Sequence, residues 1–133
     1  MQAPAIQIPA DRSVYEGEMA TYWFDDGILV SLSKSTLRTV ESIRNNVEFV
    51  RQITGNKPVP LLIYLANSPV PDKATRQFST EMLPVIYSAM AMVSKPGLAG
   101  FIMRILFALK PPPIPMKQFS DAAAAKAWLK QYL

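Results

Sequence analysis

Leu61-Leu62-Ile63-Tyr64-Leu65-Ala66 is an apolar run with no alternation, bounded by Pro58-Val59-Pro60 and by Asn67-Ser68-Pro69-Val70-Pro71. A short run of this kind between turn residues predicts a central strand buried on both faces. Such a strand needs a covering layer on each side, which directs the chain to an α/β architecture.

The flanking segments supply the layers. Tyr22-Trp23-Phe24, Asp25-Asp26-Gly27 and Ile28 to Leu32 read as a β-hairpin, because the Asp-Gly pair suits a tight turn with positive φ. Ser35 and Thr36 are expected helix caps. Behind them Leu37, Val40, Ile43, Val47, Val50 and Ile53 mark one apolar face of a five-turn helix that Gly55-Asn56 ends. Glu41 and Glu48 are placed to pair with Arg44 and Arg51. Asp72 caps a second helix running to about Met82, with Ala74, Phe78 and Met82 inward.

Pro84 is read as opening a strand over Val85 to Val93, although its Ala and Met content also suits a helix. Pro96 sits near the start of a strongly apolar helix, Leu98 to Leu109, whose only charge is Arg104, and Lys110-Pro111-Pro112-Pro113 stops it. Pro115 to Phe119 is an edge strand. Ser120-Asp121 caps a last helix whose stripe is Ala122, Ala125, Trp128, Leu129 and Tyr132, with Lys126 and Lys130 outside it. The expectation is one α/β domain over residues 1–133, with a loose lead-in over 1–12. It has an N-terminal hairpin, then alternating helices and strands, and a mostly parallel sheet of four to five strands.

The chain has no His and no Cys, so it has no thiol nucleophile, histidine base, disulfide or zinc site of the common ligand types. Tyr64, Asp72, Lys73, Glu81 and Tyr87 are scattered and form no nucleophile spacing. A non-enzymatic protein without cofactor or metal is expected. The net charge is +4, and from Lys95 onward six basic residues face one acid, Asp121. They form no run and no pattern with exposed aromatics, so a solvated surface is expected rather than a nucleic-acid face. The N-terminus lacks the pattern of a signal peptide, and Lys95-Pro96-Gly97 breaks the apolar stretch Met82 to Leu109 too early for a membrane span. The expected location is cytoplasmic.

The hairpin, long helix, buried strand, short helix and closing Phe119-Ser120-Asp121, Ala125 and Trp128-Leu129 resemble the STAS-like, anti-sigma-factor-antagonist fold. Within it, the chain is similar to small bacterial proteins sharing a segment like Lys110-Pro111-Pro112-Pro113, Pro115, Lys117 and Phe119, then a helix ending in Trp-Leu. These proteins also tend to carry Thr and Arg early in the short helix, as Thr75 and Arg76 stand here. The resemblance covers about Thr21 to Leu133. It implies a regulatory module that works by protein contact, switched in some members by phosphorylation of a serine behind an Asp. Asp72 matches that Asp, but Lys73 and Ala74 occupy the two serine positions and offer no hydroxyl, while Thr75 and Ser79 lie off the motif.

Two candidate surfaces follow. A partner-binding rim beyond the carboxyl ends of the strands contains Asn67, Ser68, Asp72, Thr75 and Arg76, with Arg76 able to hold a carboxylate or phosphate unless it pairs with Asp72 or Glu81. The second surface, Leu98, Phe101, Ile102, Ile105 and Leu109, is expected to form a homodimer contact. Alternatively it binds a small hydrophobic or lipid-like ligand, in solution or at a membrane surface, with Met90, Met92 and Met103 as adaptable lining. The first reading makes the protein an interaction module for a protein partner or itself, and the second a carrier or sensor.

Overall fold

The computed structural model describes residues 6–107 and 111–133. Six strands lie side by side in chain order: β1 (Tyr15–Glu16), β2 (Ala20–Asp25), β3 (Ile28–Ser33), β4 (Val59–Tyr64), β5 (Tyr87–Val93) and β6 (Met116–Phe119). The first two pairings are antiparallel and the remaining three parallel, so the sheet is mixed. β1 is a two-residue edge strand with no sequence signal of its own. The hairpin pairs Asp25 with Ile28, and both central turn residues have positive φ, 52° at Asp26 and 82° at Gly27, as a type I′ turn requires.

The first helix, α1 (Val40–Thr54), starts later than expected. Ser35 and Thr36 do not cap it, and Leu37 is 60% exposed rather than inward. The Arg38 guanidinium binds the carbonyls of Lys34 and Thr36, both at 2.7 Å, which ties that segment into a loop. Thr39 and Ser42 then form a reciprocal capping box, with Oγ1 accepting from Ser42 N at 3.1 Å and Ser42 Oγ from Thr39 N at 2.8 Å. Gly55 closes the helix at φ 67°.

α2 (Lys73–Ile86) begins at Asp72 as expected, but it runs through Pro84, and β5 starts at Tyr87 rather than Val85. Leu83 and Ile86 are buried together one turn apart, and that anchors the last turn. The inward stripe passes through Thr75, which is 2% exposed, so Ala74 faces outward instead. α3 (Leu98–Leu106) follows Gly97, and Leu109 lies outside the described residues. At the sheet edge Pro115 lacks an amide, yet its carbonyl accepts from Met90 N at 2.9 Å just before β6. α4 (Ala122–Leu129) is capped by Asp121.

Each crossover steps to the next strand in the same direction. The right-handed rule for such connections then puts α1, α2 and α3 on one face of the sheet. One core joins Ile43, Val47 and Val50 of α1, Leu83 and Ile86 of α2 and Ala99 of α3 to Leu29, Leu61, Met90 and Met92. The opposite core joins Ala125 and Leu129 of α4 to Trp23, Ile28, Val30, Leu62, Ala89 and Ala91. Ala89 and Ala91 are fully buried, and their small side chains let α4 lie close to β5.

The hairpin tip is tied to this second face. Lys126 Nζ bridges Asp25 Oδ1 at 3.0 Å and Asp26 Oδ2 at 2.8 Å, so Lys126 is a cross-link rather than a solvated outside residue. Asp25 also faces Arg12 at 3.5 Å and borders a shallow cleft with Trp23 and Tyr64.

Leu129 is fully buried and on the face away from α1 to α3. Leu129→Ala should cost roughly 2–5 kcal/mol in a denaturant titration. Thr39→Ala, which removes half the capping box, should cost about 1 kcal/mol in the same measurement.

Candidate functional site

The carboxyl ends of β3 and β4 and the first turns of α1 and α2 do not close on one another. Between them and α3 lies a cavity of about 300 Å³, at the small end of the roughly 300–1,000 Å³ usual for ligand pockets. Its floor is the sheet, through Leu61, Ile63, Met90 and Met92. Ile43 and Val47 of α1, Met82, Leu83 and Ile86 of α2, and Leu98, Phe101, Ile102 and Ile105 of α3 form apolar walls.

The structure brings the two candidate surfaces into one site. Asn67, Ser68, Thr75 and Arg76 line this cavity together with Leu98, Phe101, Ile102 and Ile105. Asp72 does not line it; its carboxylate accepts from Thr75 N at 2.8 Å and caps α2. That backbone hydrogen bond holds the Asp72 carboxyl below its ordinary value. Met90 and Met92 are lining residues, whereas Met103 packs beside the core. Arg76 forms no ion pair with Asp72 or Glu81 among the described contacts. Its Nη1 donates to Pro71 O at 2.7 Å. Glu48 and Arg51 pair at 3.4 Å; no such contact between Glu41 and Arg44 is described, and Arg44 instead lies over the Phe78 ring.

Several polar lining residues had no distinguishing sequence pattern. Tyr22 and Tyr87 are buried under the cavity, and Tyr22 Oη donates to Asn46 Oδ1 at 2.9 Å. Burial raises both phenols, Tyr87 well above its ordinary value, with the neighbouring Tyr22 adding to the effect there. Arg38 lines the cavity from the loop before α1, and its Nη1 reaches Ser68 Oγ at 2.9 Å. It escaped notice because its place in the helix pattern reads as an ordinary solvated arginine. Ser31, on the cavity side of β3, is 2% exposed.

The chemical repertoire is narrow. No cluster of three or more His, Cys, Asp or Glu suited to a metal occurs among the described residues. No described lining residue is acidic, and the tyrosines nearest the floor are held neutral by burial. Thr75, although a hydroxyl near the switch position of the resembled modules, is sealed from solvent. No helix among the described residues is long and apolar enough to cross a membrane.

The phenols give this floor a pH signature. The folded state keeps Tyr22 and Tyr87 protonated above the pH at which an unfolded tyrosine ionises, about 10. Stability is therefore unaffected by them below that value and falls as pH rises past it. Tyr87→Phe should flatten this alkaline loss, read from melting temperatures across the alkaline range.

A comparison with solved structures finds an uncharacterized DUF3478-family protein with a SpoIIAA-like fold, from Shewanella loihica PV-4. The TM-score is 0.55 at 14% identity, covering 94% of this chain and 99% of that one. This likeness supports the SpoIIAA-like, single-domain α/β fold. A search of curated proteins gives no match. A family model matches residues 22–133, from the hairpin to the final turn, and by that match the chain belongs to the family described as a domain of unknown function, DUF7793.

Proposed function

We propose that the protein is a carrier or sensor that binds a small, largely apolar molecule in the cavity between the sheet, α1, α2 and α3. The observation that carries this reading is the convergence of the polar rim and the apolar helix face on one cavity of about 300 Å³. An apolar enclosure with a few polar groups at one end is the usual form of a small-molecule site. In this reading Asn67, Ser68, Thr75 and Arg76 are the polar side. Leu98, Phe101, Ile102 and Ile105 are the apolar side, and Asp72 serves as a helix cap. Methionines on the floor suit the role, because an unbranched thioether adapts to ligand shape. Catalysis has little support, since no described lining residue offers a carboxylate, imidazole or thiol.

A second reading, contact with a protein partner or with another copy of the chain, rests on apolar side chains at the rim. Val70 is 50% exposed and Phe101 45%. Both readings place the work of the molecule at the same end of the sheet.

Native mass spectrometry of freshly purified protein separates them. Bound mass that survives desalting and disappears in Ile102→Trp, a substitution that fills the cavity from the side of α3, supports the carrier. A bare dimer that Phe101→Asp converts to monomer overturns it in favour of self-association.

A further inference from the structure

Arg38 and Arg76 both line the cavity, and the described lining includes no Asp or Glu. Neither arginine takes part in any ion pair among the described residues. Arg38 is half-buried, and its described partners are all neutral: the carbonyls of Lys34 and Thr36, the hydroxyls of Thr36 and Ser68, and Met19 O. These oxygens orient the guanidinium but do not cancel its charge, and burial pulls its affinity for the proton below the ordinary value. Arg76 commits one described hydrogen bond, from Nη1 to Pro71 O. A guanidinium has five N–H donors, so both residues retain capacity for an anion. For Arg38, a cation withdrawn from water without a counter-charge is costly, and an arriving carboxylate would offset that cost; Arg76 feels the nearby Asp72 carboxylate but forms no ion pair with it among the described residues.

The two arginines hold the same loop from different elements. Arg38, just before α1, bonds Ser68, and Arg76, in the first turns of α2, bonds Pro71. The same cavity is lined by the apolar side chains of α3 and the methionines of β5. The charged lining lies beside the loop, and the rest is largely apolar, with Tyr22, Ser31, Asn46 and Tyr87 as neutral polar groups. Taking the ligand-binding reading above as its premise, we infer that the cavity accepts an amphiphilic carboxylate. The fatty-acid-like chain lies against α3 and the sheet, and the carboxylate meets Arg38 and Arg76 at the β4–α2 loop.

Isothermal titration of the full chain with decanoate and with decanol, at neutral pH and low salt, tests the assignment. Decanoate should bind at least about tenfold more tightly than decanol, the difference expected of hydrogen bonds to a charged group. Arg76→Gln should reduce decanoate to the level of decanol while leaving decanol unchanged. Arg38→Lys keeps the charge but loses the planar fork, and should narrow the preference without unfolding the loop. Equal affinity of the two probes in the native protein would overturn the carboxylate assignment and leave the cavity reading intact. So would a preference that survives both substitutions. Binding of neither probe would remove the ligand-binding reading itself.

Discussion

The architecture depends on the handedness of three successive crossovers. Strands laid down in chain order, each parallel to the last from β3 onward, require every connecting helix to return over the same face. That face receives α1, α2 and α3. The other is left to α4, the helix after the last strand, which the small side chains of Ala89 and Ala91 admit. Three helices share the first face, and a cavity lined by all three opens beside the loop after β4, near where open α/β sheets commonly hold ligands.

The loop from Leu65 to Asp72 is what joins this geometry to chemistry. It follows the buried central strand and must turn back towards α2, so its backbone carbonyls and Ser68 need donors near the surface of the core. Arg38 and Arg76 supply them. Using arginine rather than a neutral donor leaves two cations beside a largely apolar enclosure whose described lining contributes no carboxylate. The charge imbalance is a property of the assembled site, since neither arginine is unusual in its own segment.

The resemblance to phosphorylation-switched modules is informative by its departure. Asp72 caps α2, but the next two positions are Lys73 and Ala74, and the nearest hydroxyl on the helix, Thr75, points into the protein. The same turn that carries a switch in the resembled members here contributes lining to a cavity.

Much of the secondary structure was legible because it depends on short-range chemistry. The Asp26-Gly27 turn, the αL stop at Gly55, the Asp72 and Asp121 caps and the unalternating run of β4 each follow from local backbone preferences. Errors arose where a side-chain hydrogen bond or tertiary burial outweighed the periodic signal. Arg38 delayed α1 by capturing carbonyls ahead of it, and the burial of Leu83 and Ile86 carried α2 past Pro84. Thr75 rather than Ala74 faced inward because the docking of α2 on α1 and the sheet set its rotation. The sequence by itself determined the α/β class, the hairpin and the central strand, and it singled out eight residues of the two candidate surfaces that line the cavity. Only the tertiary structure decided that residues from both surfaces line one cavity, and that Arg38 belongs to it. Periodicity reports which side of an element is apolar, whereas the meeting of separate elements is set by crossover direction and helix docking.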